Sequence, residues 1–414
     1  MNQASIISKY DKLIVLLMLF VSDDTILFGT NQSRVFLYIK YLVLSLILFS
    51  LIFKQHRGSD NKVIIYSVIM CVIILLSSIV NNALSIGLYY KCVILLSCAF
   101  FVKRNNMLKV YAGIFESFIY VVAIVSLVGS AFVILLPSFV QLFPKVINTV
   151  GGVFYNLLLF VPEIRPLEEF RNNGFFREPG VYHMYLNLAL VFHLYFSEKV
   201  SYKRVLVFII TIITTLSTTG FICLAGIGLM IVLKQLNNNG SVWNRVLVIG
   251  VSILLVLVLY SYTDLLSAEG VVFGKIGNEE NDSYIARAAS ITTNISIWQQ
   301  NPFLGGSLRV NDIFESITYN VYGIGTEHNT NTLLCELAMW GIFYFIIMMM
   351  GLFRFSFMIG KSKLEGVLFL IIILAMSVGE RLIFSPFFYM LVFYGLSNKR
   401  LLGKSSQAQR FINI

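Results

Sequence analysis

Long apolar runs recur along the whole of this chain, and no other feature restricts its fold so strongly. Many reach the roughly 17 to 25 residues that a bilayer's hydrocarbon thickness demands. They are continuous rather than alternating, which predicts helices and not the short, dyad-patterned strands of an outer-membrane barrel. Of the 414 residues, 57% are hydrophobic and 13% charged, against about a quarter charged in an average soluble domain. No soluble core could absorb that much apolar side chain. The expectation is an all-α polytopic membrane protein, a single integral membrane domain over residues 1–414.

Read in order, the runs predict twelve spans: 12–29, 35–53, 63–80, 84–102, 110–136, 179–196, 204–217, 219–234, 245–262, 330–353, 364–379 and 384–397. The seventh and eighth come from one stretch too long for a single crossing, divided at Ser217-Thr218-Thr219-Gly220. The first run, Leu13 to Val21, is followed by Ser22, Asp23 and Asp24 rather than by a small-residue cleavage pattern, so it is expected to be a retained span. Basic residues mark cytoplasmic loops. With the N-terminus inside, those loops hold most of the 31 basic residues, among them Lys54, Arg57, Lys62, Lys103, Arg104, Lys199, Lys203, Arg204, Arg354, Lys361 and Lys363. Both termini are therefore expected to be cytoplasmic.

The formal charge of +10 is spread as short clusters between apolar runs, the pattern of topology signals rather than of a nucleic-acid surface. Cys71, Cys92, Cys98, Cys223 and Cys335 all fall inside or beside apolar runs with no CxxC pair, and read as small apolar residues. Neither a metal nor another cofactor is expected.

Two outside segments exceed the rest, 137–178 and 263–329. Irregular backbone cannot face lipid, so they must sit in water or fold over the bundle. The first ends in Arg171-Asn-Asn-Gly174-Phe-Phe-Arg177-Glu178-Pro179-Gly180, with Pro179 suited to the first helical position and Glu178 near the cap. Arginines beside a helix N-terminus make an anion site, and a planar guanidinium grips a phosphate through two bonds at once. The competing reading is that they bind lipid headgroups or pair with Glu163, Glu168, Glu169 and Glu178. The second segment holds Arg287, then Asn301-Pro302-Phe-Leu-Gly305-Gly306, then Arg309, and ends in Glu327-His328-Asn329 at the tenth span. His328 titrates near neutrality and suits a general base, although a lone histidine at a helix start is more often a cap or a structural residue. Asn329 suits a cap there.

His56, His183 and His193 are assigned no chemistry. Glu380 and Arg381 read as a local ion pair ahead of Ser385-Pro386, another cap-plus-proline helix start. Glu116 and Lys40 fall within spans near their ends, where ionisable groups snorkel. Lys91 lies deeper, and no partner for it can be read from the sequence.

In their order these features resemble the Wzy-type O-antigen and capsule repeat-unit polymerases and the related O-antigen ligases. The resemblance rests on Arg171-x-x-Gly174-x-x-x-Glu178-Pro179, on Thr215-x-Ser217-x-x-Gly220, and on Asn301-Pro302-x-x-Gly305-Gly306 followed by His328-Asn329 and Gly341. Each motif is short and degenerate; their order and the twelve-span frame cover most of the chain. The resemblance implies a GT-C-like, metal-independent glycosyltransferase of the bacterial inner membrane with its active site facing the periplasm. Such an enzyme moves a growing glycan from undecaprenyl diphosphate onto a sugar hydroxyl of the next lipid-linked repeat unit. It implies Arg171, Arg177 and Arg287, with Arg309 and Arg381, as diphosphate ligands. His328 would act on the acceptor hydroxyl, with Glu178 and Glu327 as rivals; Pro179, Asn329, Asn301, Pro302 and Gly305 would shape the frame. A flippase and a chain-length regulator of the same pathway are the implied partners beside membrane lipids, and a ligase acting on lipid A core, or a flippase, is the alternative function.

Overall fold

The computed structural model describes residues 8–54, 61–105, 108–166, 170–237, 282–323, 329–360 and 362–397. The expected ninth span, the opening of the second long segment, Glu168, Glu169, His56, Glu327 and His328 lie outside the described residues.

The helices in chain order are α1 (Lys9–Phe20), a π-helical turn (Ile26–Thr30), α2 (Arg34–Phe53), α3 (Lys62–Val80), α4 (Ile86–Arg104), α5 (Leu108–Leu135), the short α6 (Pro137–Val140), α7 (Pro179–Phe196), α8 (Tyr202–Thr214) and α9 (Thr218–Asn237). After the gap come α10 (Asp282–Gln300), a 3-10 turn (Ser307–Arg309), α11 (Val310–Tyr322), α12 (Thr332–Ile359), α13 (Lys363–Gly379) and α14 (Pro386–Leu396). A hairpin in the first long segment pairs β1 (Lys145–Ile147) antiparallel with β2 (Val153–Tyr155), Val146 opposite Phe154.

Among the described residues five helices, α2, α3, α4, α5 and α12, are long and apolar enough to cross a bilayer. Large apolar side chains stand exposed along them, including Leu42, Leu46 and Phe49 on α2, Leu75 and Ile79 on α3, and Phe343 and Phe353 on α12. A monomeric soluble protein rarely exposes such continuous apolar faces, whereas lipid is their natural solvent. The chain is thus an all-α, multi-helix membrane protein. By contrast α14 is buried at every position and α7 at nearly all, the mark of helices at the centre of a bundle. Tyr185 of α7 lies between Phe115 of α5 and Phe387 of α14, with ring centroids 5.7 and 4.2 Å away, and this aromatic stack ties the three together.

The first expected span is not continuous. α1 ends at Phe20, its 12 residues reaching only about 18 Å, and the chain then opens through Val21–Thr25. Asp23 and Asp24 dictate the break, because a carboxylate in an apolar bundle must find partners. Asp24 accepts from the hydroxyls of Tyr185 and Ser385. Asp23 pairs with Lys40 and accepts from the Tyr90 hydroxyl at 3.1 Å. Lys40 therefore does not snorkel; it is buried on Asp23 and the Phe28 carbonyl. Nor does Glu116, which is buried against Arg204 and His193.

Lys91 also finds its partner. On α4, it reaches Glu336 of α12 at 2.6 Å, the Ile383 carbonyl and the Tyr389 hydroxyl of α14, so one ammonium bolts three elements. Such a pair survives burial only because the charges compensate each other.

The division at Ser217-Thr218 stands, with α8 ending at Thr214 and α9 starting at Thr218. The tenth span starts at Thr332, two residues after the expected boundary, and its cap is Asn331, whose Oδ1 accepts from the Leu334 amide at 3.0 Å. Asn329 instead bonds Asn294 of α10. Within α12, Gly341 breaks the helix at φ 75°, and the turn at 301–306 is grafted into that break. The Ile342 amide donates to the Pro302 carbonyl at 3.0 Å and the Gly306 amide to the Ala338 carbonyl at 2.9 Å. A β-carbon on Gly341 would meet the Phe303 carbonyl, and one on Gly305, at φ 68°, the Met339 carbonyl. Asn301-Pro302-x-x-Gly305-Gly306 and Gly341 are therefore two halves of one backbone joint, in which the close approach leaves room only for glycine at 305 and 341.

Candidate functional site at the start of α7

Three chain segments meet where α7 begins, and each delivers an arginine. The first is 171–177. The Asn172 amide donates to the Thr214 carbonyl at 2.9 Å, and Asn172 Nδ2 reaches Ser126 Oγ and Thr214 Oγ1. Asn173 Nδ2 donates to the Val161 and Phe176 carbonyls, while Phe175 and Phe176 are fully buried. Gly174 turns the chain at φ 59°, where a β-carbon would press on the Tyr182 ring at 3.0 Å. Residues 24–26 then run antiparallel to 175–177, the Arg177 amide donating to the Asp24 carbonyl at 2.9 Å. The break in the first span thus forms the seat of Arg177.

Arg171 lies over the α8–α9 break and donates from Nε to the Thr215 carbonyl at 3.1 Å. Carbonyls freed where a helix stops are unsatisfied acceptors, and this one orients the guanidinium. Gly220, one turn on, packs its backbone against the His183 ring, with a β-carbon position 2.9 Å away. Of the three motifs that carry the resemblance, the first two therefore meet each other directly.

The second segment is the α13–α14 connection. Arg177 Nη2 donates to the Arg381 carbonyl at 2.6 Å. Thr332 Oγ1 donates to the Glu380 carbonyl and accepts from the Leu382 amide. Ser385 caps α14, accepting from the Phe388 amide, and donates its hydroxyl to Asp24. The expected Glu380–Arg381 ion pair does not form. Glu380 faces Arg177 at 4.0 Å, and Arg381 bonds Asn311 of α11. Adjacent residues on an extended turn point apart, so each reaches a different element.

The third segment is α10, which packs on α12 and brings the half-buried Arg287 into electrostatic contact with Arg171 and Glu380. Four arginines, Arg171, Arg177, Arg287 and Arg381, thus share one end of the bundle with Glu178, Glu380 and Asp24. Arg309 stands apart, exposed, with no bond or ion pair among the described residues that joins it to the group. Pro179 opens α7 and Glu178 takes its cap position without a side-chain cap bond. Arg165, further back, pairs with Glu163 at 2.7 Å.

The electrostatics are unbalanced toward the cations. Burial lowers the Arg171 pKa, and Arg165 and Arg287 push the same way, so Glu380 and Glu178 do not restore it. For Arg177 burial also lowers, but Glu178, Glu380, Asp24 and Asp23 together hold it above the usual value. Burial, then Glu178, pushes Glu380 well above the carboxylate range against the pull of Arg177, Arg287 and Arg171. Raised carboxylates neutralise arginines poorly at ordinary pH. Consistent with this, Arg177 Nε and Arg381 Nε are buried without an acceptor among the described residues. A buried donor left unpaired costs about 1–3 kcal/mol, more when charged, a cost that an acceptor placed at these nitrogens would relieve.

Sequence reasoning missed Asp24, which it placed within the first span without a role, and His183, which it gave no role. His183 is buried on α7 with Nδ1 unpartnered, and Arg171 and Arg287 act on it electrostatically. The Asp23-Asp24 pair beside an apolar run was the available signal; for His183 there was none. No protein-family model matches this chain, and no curated protein matches it.

Proposed function

We propose that this protein is a polysaccharide polymerase of the bacterial inner membrane. It transfers a growing glycan from undecaprenyl diphosphate to a sugar hydroxyl of the next lipid-linked repeat unit. In this reading twelve helices cross the bilayer, both termini are cytoplasmic, and the start of α7 opens to the periplasm.

One observation carries the reading: Arg171 and Arg177 of one segment and Arg287 of a segment distant in sequence converge on a helix N-terminus whose buried carboxylate, Glu380, is raised well above the usual range. A lipid-linked diphosphate has the complementary chemistry, two phosphates at the bilayer surface and an apolar tail for the bundle wall. As the glycosidic bond breaks, negative charge grows on the departing diphosphate, and fixed guanidinium groups stabilise that charge more in the transition state than in the ground state. The resemblance to the polymerase and ligase superfamily points the same way. His328 and Glu327 remain candidates for acceptor activation, and the flippase and chain-length regulator remain candidate partners.

The test is chain growth by purified protein in liposomes given only the lipid-linked repeat unit. Polymer ladders are expected. Translocation of the lipid without growth would replace the enzyme with a carrier. In cells, deletion is expected to leave single repeat units on the surface, whereas bare lipid A core would turn the assignment to a ligase.

A further inference from the structure

Glu380 occupies an unusual position among the carboxylates of the arginine cluster. Its backbone is clamped by Thr332 and its neighbour's carbonyl by Arg177. Its side chain lies on the first turn of α7, in the space that any side chain at Gly180 would need. Yet its carboxylate accepts no hydrogen bond among the described residues, and the nearest cation stands 4.0 Å away. The other acids differ. Asp24 accepts from Tyr185 and Ser385 on one oxygen, Asp23 pairs with Lys40 and accepts from Tyr90, and Glu178 is exposed to solvent. Among the described acids of the cluster, Glu380 alone is both sheltered from water and without a hydrogen-bond donor, and it faces Arg177, one of the arginines that would hold the leaving group.

On the strength of the polymerase reading, we infer that Glu380 is the general base that takes the proton of the acceptor sugar hydroxyl. The hydroxyl oxygen forms its bond to the anomeric carbon of the donor as the O–H proton passes to a Glu380 carboxylate oxygen. The bond from the anomeric carbon to the phosphate oxygen breaks, and its electron pair leaves with the lipid diphosphate. The proton then passes to the departing diphosphate or to water, which restores the carboxylate. A general base works best with a pKa near the working pH, and burial and Glu178 raise that of Glu380 while Arg171, Arg177 and Arg287 limit the rise. The neighbouring arginines serve both ends of the reaction: they hold the leaving group and pull the Glu380 pKa down against burial, which favours its ionised form.

The inference also explains Gly180. A methyl group there would displace the carboxylate from the helix start without changing any charge.

The experiment uses the full chain in liposomes with the lipid-linked repeat unit, following extension rate from pH 5 to pH 9, and measures binding of undecaprenyl diphosphate separately. The base must be ionised, so the wild-type rate should fall as pH drops through the raised Glu380 pKa. Glu380→Gln, which keeps size and fold, should lower kcat by about 10² to 10⁴-fold, abolish that acid limb and leave diphosphate binding intact or tighter. Gly180→Ala should lower kcat with little change in diphosphate binding. Full turnover in Glu380→Gln, or an acid limb that persists in it, overturns the assignment, as does loss of diphosphate binding in place of turnover. A folded wild type that extends nothing removes the polymerase reading and this inference together. An active wild type with an equally active Glu380→Gln removes the inference alone.

Discussion

The two ends of α7 carry two clusters of charge, and they are finished differently. At its last turn His193 Nδ1 meets Glu116 Oε1 at 3.0 Å, and His193 Nε2 accepts from the Ser201 amide at 2.9 Å. Arg204 Nη1 lies 2.9 and 2.7 Å from the two Glu116 oxygens, and its guanidinium stands over the Tyr120 ring. Cation, carboxylate and imidazole satisfy one another, and the group clasps α5, α7 and the start of α8. At the first turn two guanidinium Nε atoms lack acceptors among the described residues, and Glu380 accepts nothing there. A closed cluster holds helices together; an open one leaves room for the anion that the proposed function requires. Under that proposal the contrast separates structure from chemistry within one helix.

Mutations can break or sharpen that contrast. The largest effect is expected at the open end: Arg171→Ala and Arg287→Ala should each reduce polymer by about 10² to 10³-fold, the range for removing one fixed donor to developing negative charge. Membrane abundance and melting temperature should stay near wild type. Polymer of normal yield from both variants would dissolve the diphosphate clamp. At the closed end Glu116→Ala should act in the opposite sense, lowering stability by about 2 kcal/mol because it strands the half-exposed Arg204 and a buried histidine. Thermal unfolding in detergent reads this, and turnover per folded molecule should not change; a pure activity loss would erase the distinction between the ends. Arg177→Lys keeps the charge but loses the planar fork, and should cost roughly tenfold in rate, the worth of about one charge-assisted hydrogen bond. A lysine variant with wild-type kinetics would demote Arg177 to a point charge. Arg309→Ala should be the mildest, within about 0.5 kcal/mol of wild type in stability and with under about twofold effect on rate. A large loss there would place Arg309 back among the ligands that the resemblance implied.

Much of the site was legible as residue types and little as partnership. Pro179, Ser385-Pro386 and the break before Thr218 could be placed because capping and helix termination are local. Arg171, Arg177 and Arg287 could be singled out because arginine beside a helix start, or in a long outside loop, offers a planar fork to an anion. Their convergence could not, since Arg287 comes to Arg171 only through the packing of α10 on α12. The same holds for ion pairs: Lys91 and Glu336 are 245 positions apart, Glu116 and Arg204 88. Glu380 was read with its sequence neighbour Arg381 because adjacency is all that a sequence offers; the extended turn sends the two side chains to different helices.

The sequence by itself determined that the chain is helical and lives in lipid, and where most helices begin and end. Those properties follow from hydropathy over some twenty residues and from caps within four. Tertiary structure alone decided which charges close on each other and which remain open, why the first apolar run must break at Asp23-Asp24, and how the 301–306 turn enters α12 at Gly341. Each depends on contacts between segments far apart in the chain, and Coulomb attraction and backbone fit act on distance in space rather than separation in sequence.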